Sequence, residues 1–92
     1  MLKRWTVVFR ALANINRLKI ITILSERNSK TVGELARDLD ISPKSTSKHL
    51  IILKNLDILE SRGKDGHVHY SISNSPPRDI RFAIRLFINK PH

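Results

Sequence analysis

Apolar residues recur every three or four positions at the start of the chain, and this spacing predicts helices. A helix is expected over about residues 2–13, with one apolar stripe formed by Leu2, Trp5, Val8, Phe9 and Leu12. The stripe could cover the core of its own domain or take part in an interface with a second subunit. A second helix is expected over about residues 16–26, with its inward side formed either by Leu18, Ile21 and Leu24 or by Ile20 and Ile23.

Two short helices follow, and each begins with a capping sequence. Thr31 and Glu34 have the spacing of a capping box, in which each side chain satisfies a free backbone amide at the start of a helix over residues 32–39. Ser42 suits the cap of the next helix, and Pro43 suits its first position because that amide needs no intrahelical partner. Two short helices joined by a tight connection predict a helix-turn-helix.

The second of these helices is predicted over about residues 42–56, and its two sides differ in chemistry. The inward side carries Ile41, Thr46, Leu50, Leu53 and Leu56. The N-terminal half of such a helix commonly enters the major groove of DNA, where lysine and serine can bond to bases or phosphates. The residues left on the outer side are Lys44, Ser45, Ser47, Lys48 and Asn55, and we predict DNA contacts for the first four. A solvated helix surface is the alternative, and His49 is expected to be a half-buried, hydrogen-bonded residue.

Alternating residues then predict a β-hairpin over about residues 58–73. Its second strand alternates Val68, Tyr70 and Ile72 with polar residues, and Asp65-Gly66 is a strong signal for a two-residue turn. A hairpin directly after a helix-turn-helix predicts a winged helix. We predict contacts to the DNA backbone or minor groove for the basic residues around the turn, which are Arg62, Lys64 and His67. A charged hairpin tip that is simply solvated is the alternative.

A last helix is expected over about residues 78–90. Its apolar arc consists of Ile80, Ala83, Ile84, Phe87 and Ile88 together with Phe82 and Leu86. Because this arc is wider than one packed side requires, we expect part of it to be buried by a partner subunit. The predicted dimer interface comprises Leu2, Trp5, Val8, Phe9, Leu12, Ile80, Ile84, Phe87 and Ile88. The predicted fold is mainly α with a small β-hairpin (α+β), a single winged helix-turn-helix domain over residues 1–92.

Composition narrows the function. Seventeen Lys and Arg against 8 Asp and Glu give a net charge of +9, which favours a polyanionic partner, either nucleic acid or an anionic membrane surface. No apolar run approaches the roughly 20 residues needed to span a bilayer, and no secretory signal is recognisable, so we expect a cytoplasmic location. The absence of Cys excludes disulfides and thiolate chemistry. Phosphate-binding loops, nucleophile elbows and metal-spaced His and Glu are also lacking, so neither an enzyme nor a cofactor is expected.

Four segments in order carry a resemblance to a known family. They are Phe9-Arg10-Ala11-Leu12-Ala13 with Arg17-Leu18-Lys19-Ile20, Val32-Gly33-Glu34-Leu35-Ala36, Ser45-Thr46-Ser47-Lys48-His49-Leu50 with Leu53, and His69-Tyr70-Ser71-Ile72. The pattern, which covers about residues 9–73, resembles the ArsR family of winged-helix repressors. Its most specific part is the Ser-x-His-Leu-x-x-Leu of the recognition helix. The resemblance implies a homodimeric regulator of transcription that binds double-stranded DNA, with its first and last helices in the interface.

The chain departs from the family at the metal sites that the resemblance would imply. Thr31 and Gly33 stand where metal-sensing members carry cysteines. At the second site Asp79 is present, but Arg81 replaces the histidine and no His-x-x-Glu follows. We therefore predict neither a metal site nor a recognisable small-molecule effector. Two other functions fit the same residues: a non-specific architectural DNA-binding protein, or a winged helix that binds another protein.

Overall fold

The computed structural model describes residues 1–26 and 28–88, and these form a winged helix-turn-helix as predicted. Residues 89 and 90, the predicted end of the last helix, lie outside the described part. The elements in chain order are α1 (Leu2–Leu12), α2 (Ile15–Leu24), β1 (Lys30–Thr31), α3 (Val32–Leu39), α4 (Pro43–Asn55), β2 (Leu59–Lys64), β3 (His67–Ile72) and α5 (Arg78–Ile88).

The starts of α3 and α4 are determined by local side chains, and both predicted caps are confirmed. The Thr31 hydroxyl accepts from the Glu34 amide at 3.2 Å, while the Glu34 carboxylate accepts from the Thr31 amide at 2.9 Å. The Ser42 hydroxyl accepts from the Ser45 amide at 3.0 Å, and Pro43 occupies the first position of α4. These bonds satisfy amides that have no partner within the helix, so both helices begin where the sequence predicts.

Left-handed aspartates produce the sharp changes of chain direction. Asp40 (φ 56°) ends α3, Asp57 (φ 57°) follows α4, and Asp65 (φ 52°) with Gly66 (φ 78°) forms the hairpin turn. Asp adopts this conformation at lower cost than most residues, and Gly adopts it freely. The predicted two-residue turn at Asp65-Gly66 is thus confirmed.

The sheet contains a strand that the sequence pattern does not reveal. Its order is β1-β3-β2, and both pairings are antiparallel. β1 consists only of Lys30 and Thr31, which pair with Tyr70 and His69 of β3. Two residues are too few to show the alternation that identifies a strand, and β1 exists because β3 lies beside it. It attaches the start of α3 to the wing.

The core is formed mainly by α2, α3 and α4. Its fully buried large side chains include Ile20, Ile21, Leu24, Leu35, Leu50, Leu53 and Ile58. Val8 and Ile80, which the sequence places in the dimer interface, also have 0% of their surface exposed. That assignment is corrected here, because side chains buried within their own chain have no surface for a second subunit to contact.

The capping box provides a test of the α3 start. We expect Thr31→Ala to lower the free energy of unfolding by about 1 kcal/mol, because the Glu34 amide loses its acceptor. Urea denaturation followed by circular dichroism measures this change. Ser29→Ala, at an exposed position two residues earlier, is the matched control. Equal stability of the two variants would contradict the assigned role of the cap.

Candidate nucleic-acid interface

The outer side of α4 presents the basic residues that were predicted to contact DNA. Lys44, Ser45 and Lys48 are exposed and Ser47 is half-buried, whereas Thr46 is fully buried. Lys44 and Lys48 are four residues apart and therefore lie one helical turn apart on the same side. The structure thus brings two ammonium groups and a hydroxyl together near the capped N-terminus of α4, as the sequence predicts.

Two isoleucines on α4 were not among the predicted contact residues. Ile51 and Ile52 keep 54% and 38% of their surface exposed, although they lie in a helix whose other side forms the core. Ile51 follows Lys48 by three residues and so continues the same outer surface. An apolar side chain there can contact the methyl group of thymine. The helical period from Lys44 and Lys48 points to Ile51, although its side chain has no polar group to indicate a DNA contact.

The register of the hairpin places the basic residues of the wing on one surface. Arg62 pairs with His69, and Lys64 pairs with His67. Because cross-strand partners share a side of the sheet, as do residues two apart in one strand, these four side chains form a single basic surface. His69 was not in the predicted set, and it joins that set because it shares the strand side of His67 and pairs with Arg62. The Arg62 side chain is 79% exposed and has Glu60 at 4.0 Å as its nearest acidic group.

The wing and α4 are linked at the end of the helix, on the other side of the hairpin. Lys54 Nζ donates a hydrogen bond of 2.7 Å to the Ser61 hydroxyl. Ser61 pairs with Tyr70 and therefore faces away from the basic surface of Arg62 and Lys64. The two predicted groups of DNA contacts thus lie on separate elements whose relative position is held by this bond and by the core.

His49 is half-buried and hydrogen-bonded, as predicted. Its Nδ1 lies 3.0 Å from Nη1 of Arg17. Burial lowers the pKa of His49, and the positive charge of Arg17 lowers it further. Since guanidinium can only donate, Nδ1 is the acceptor and the imidazole is neutral in this arrangement.

A second surface, formed by α1 and α5, is apolar. Its most exposed large side chains are Leu2 at 81%, Phe9 at 58%, Phe82 at 62% and Leu86 at 73%. With Trp5 and Ala83 they line a shallow groove of about 410 Å³, and the rings of Trp5 and Phe9 lie 5.2 Å apart. Phe82 and Leu86 were not among the predicted interface residues, although the width of the apolar arc indicated them. We call these six residues the apolar face.

An ion pair holds the two helices of the apolar face together. Arg4 donates from Nε and Nη2 to the Asp79 carboxylate, at 2.7 and 3.2 Å. The hydrogen bond from Arg4 lowers the pKa of Asp79, and the same bond raises that of Arg4. Asp79 is the one residue of the family's second metal site that the sequence retains, and here its oxygens serve Arg4 and the Ile80 amide. Within residues 1–26 and 28–88, no three His, Asp or Glu side chains converge as metal ligands.

Comparison with known proteins identifies the family. The sequence model described as "Bacterial regulatory protein, arsR family" matches residues 14–61, more than half of the chain. The chain belongs to this family. As an ArsR-family protein it is a DNA-binding regulator of transcription and not an enzyme. None of the described helices is long and apolar enough to cross a membrane.

Two family relatives are similar to this chain in sequence. The chain is 32% identical over 83 residues to the transcriptional repressor SdpR of Bacillus subtilis. The aligned residues cover 90% of this chain and 91% of SdpR. It is 40% identical over 67 residues to the cadmium resistance regulator CadC of Listeria innocua, but spans only 56% of that protein.

Solved structures of family members have the same fold. HlyU from Vibrio cholerae superposes with a TM-score of 0.77 at 29% identity, covering 95% of this chain and 87% of HlyU. The homodimeric winged helix-turn-helix DNA-binding domain Mb0332 from Mycobacterium bovis superposes with a TM-score of 0.75 at 26% identity. The superposition covers 92% of this chain and 75% of the Mb0332 chain.

The lowered pKa of His49 predicts a pH-dependent stability. The folded chain holds the neutral imidazole, whereas the unfolded chain titrates near the ordinary value of 6.5. The folded state therefore binds fewer protons, and the free energy of unfolding should fall as the pH falls from about 7.5 to about 5. Urea denaturation across this range measures it. His49→Asn, which has an acceptor but no proton to gain, should reduce the slope, and His67→Gln at the exposed wing should not. If the free energy of unfolding of His49→Asn depended on pH as in the wild type, His49 would not be the source of the pH dependence.

Proposed function

We propose that this ArsR-family protein is a sequence-specific homodimer that represses transcription by binding a two-fold site in double-stranded DNA. The observation that carries this proposal is the exposed pair Lys44 and Lys48 on the capped half of α4. An α-helix fits the major groove, and lysine can donate to the O6 and N7 acceptors of guanine. The whole chain, residues 1–92, acts as one unit in this proposal.

The wing supplies contacts beside the recognition helix. Arg62, Lys64 and His67 form its basic surface with His69, and the proposal assigns them to phosphates or to the neighbouring minor groove. On α4, Ser45 and Ser47 add hydroxyl donors next to the lysines. Phosphate contacts position the protein and carry most of the salt dependence, whereas the α4 contacts determine which sequence is preferred.

The apolar face supports the homodimer. Four large apolar side chains that are more than half exposed lie together on α1 and α5, and a patch of this kind commonly marks a protein interface. The proposed interface retains Leu2, Trp5, Phe9, Leu12, Ile84, Phe87 and Ile88 and adds Phe82 and Leu86. A two-fold axis through this face would present two copies of α4 to half-sites about one helical turn apart. The similar domain Mb0332 is named as homodimeric.

We propose repression rather than activation because of the similarity to SdpR, a relative of nearly the same length. SdpR is named a transcriptional repressor, and this chain spans 91% of its length. HlyU of Vibrio cholerae is named a transcriptional activator, so a reporter under the control of the bound site decides the direction. The proposal places the protein in the cytoplasm, together with bacterial DNA, and includes no metal or small-molecule effector.

DNA binding by α4 has a direct test. DNA sites are first selected from a random pool with the wild-type protein, and affinity is then measured against salt concentration. We expect Lys44→Ala and Lys48→Ala each to weaken binding to the selected site by about tenfold, because each removes a base or phosphate contact. A lysine on phosphate would also reduce the slope of log affinity against log salt by about one. Lys3→Ala, which removes an equal charge from exposed α1, is the control.

The same measurements separate the alternatives. Equal wild-type affinity for random and selected duplexes would establish a non-specific architectural protein. Unchanged DNA affinity after both lysines are replaced would instead favour a winged helix that binds a protein.

The dimer interface is tested by a charge placed in the apolar face. We expect Leu86→Glu to convert the dimer into monomers, because a carboxylate would have to be buried without a partner. Size-exclusion chromatography with light scattering measures the mass. Ile15→Glu is the matched control, since Ile15 is 64% exposed but lies outside the apolar face. A Leu86→Glu protein that remains dimeric would place the interface elsewhere.

A further inference from the structure

One arginine side chain connects the interface helix to the recognition helix. Arg17 lies near the start of α2, where its Nε donates to the Ala11 carbonyl and its Nη2 donates to the Arg10 carbonyl at 3.3 Å. Both carbonyls belong to the last turn of α1. The third donor, Nη1, reaches His49 Nδ1 in the middle of α4 at 3.0 Å. The side chain of one residue on α2 therefore contacts both α1 and α4 through its guanidinium group.

The position of this guanidinium is fixed by the backbone of α2 that carries it and by the α1 carbonyls that it contacts. The Asn14 side chain caps α2 and accepts from the Arg17 amide at 3.2 Å, which fixes the backbone from which the side chain extends. The end of α1 leaves carbonyls without intrahelical partners, and a cation is favourable there. Two of the Arg17 donors are thus committed to α1, and the planar fork directs a third toward α4.

The contact on α4 lies next to the proposed DNA-reading residues. His49 directly follows Lys48 and precedes Leu50, which is fully buried. In the described part of the chain, two side-chain hydrogen bonds connect α4 to other elements: His49 with Arg17, and Lys54 with Ser61. The first is the nearer to Lys44 and Lys48. Apolar packing permits small rotations of a helix about its contacts, whereas a directional hydrogen bond restricts them.

We propose that Arg17 is a positioning residue that acts through His49 to fix the orientation of α4 relative to α1. This inference rests on the proposed function, because α1 carries part of the apolar face and α4 carries the proposed DNA contacts. In a two-fold dimer, any rotation of α4 against α1 occurs in both subunits and changes the separation of the two recognition helices. Arg17 thereby determines how strictly the protein requires one half-site spacing.

A direct phosphate contact by Arg17 is the competing role, and substitution by lysine distinguishes the two. Lysine keeps the positive charge and can serve a phosphate, but its single ammonium cannot span both α1 carbonyls and His49. On the α4 side, His49→Asn places an amide oxygen near the position of Nδ1, so it can still accept from Arg17. His49→Leu removes the acceptor and keeps an apolar side chain of similar size.

The experiment measures affinity for the selected two-fold site and for a duplex whose half-sites are moved apart by one base pair. The proteins are the wild type, Arg17→Lys, Arg17→Met, His49→Asn, His49→Leu and the double variant Arg17→Met with His49→Leu. We expect both Arg17 variants and His49→Leu to lose about three- to tenfold in affinity for the selected site. They should also discriminate less between the two spacings, while the salt slope stays that of the wild type. His49→Asn should retain wild-type behaviour, and the double variant should lose no more affinity than the more strongly affected single variant.

Three results would overturn the inference. If Arg17→Lys binds like the wild type while Arg17→Met lowers the salt slope by about one, Arg17 contacts phosphate directly. If the double variant loses the sum of both single losses, the two residues act independently. If spacing discrimination is unchanged in every variant, the bond does not position α4. Should Arg17→Met fail to fold, the comparison of His49→Leu with His49→Asn decides alone. A wild-type protein without preference for the selected site would refute the proposed function instead.

Discussion

The burial of one side of α4 is the constraint on which the other features depend. Leu50 and Leu53 are fully buried against α2 and α3, and Thr46 occupies the same side with its hydroxyl bonded to the Ser42 carbonyl. A helix that buries these positions must turn Lys44 and Lys48 outward, because they lie on the opposite side of the helical period. The caps at Thr31 and Ser42 and the left-handed Asp40 determine where α4 begins. The orientation of the basic residues is thus a consequence of core packing.

The proposed DNA contacts and the apolar face lie on different elements. Lys44 and Lys48 lie on α4, and Arg62 and Lys64 lie on the wing, whereas the most exposed large apolar side chains of the apolar face lie on α1 and α5. The Arg4–Asp79 pair joins those two helices with a bidentate contact, so Asp79 has a structural role. Core packing and the Arg17 side chain connect α4 to the end of α1, which carries part of the apolar face. The bond from Lys54 to Ser61 instead joins α4 to the wing.

Most of the helices and turns could be predicted from local sequence alone. The capping box, the Ser42-Pro43 start, Asp57 and the Asp65-Gly66 turn each act within a few residues, so their effects can be inferred without knowledge of the fold. The same holds for α4, because its two sides differ in polarity along a regular helical period. Strand β1 could not be inferred in this way, since it exists only through its pairing with β3.

The sequence by itself determined the winged helix-turn-helix, the basic outer side of α4 and the family resemblance, because these follow from periodicity, caps and motifs that neighbouring residues define. Only the tertiary structure decided which residues of the apolar stripes keep exposed surface. On α1, Val8 packs into the core while Phe9 remains exposed, and on α5 Ile80 packs inward while Phe82 and Leu86 remain exposed. Periodicity cannot separate the buried from the exposed residues, because on each helix they are apolar residues of the same stripe. It also decided that Arg17 reaches His49, 32 residues away. This contact depends on helix packing, which brings together residues that are distant in the chain.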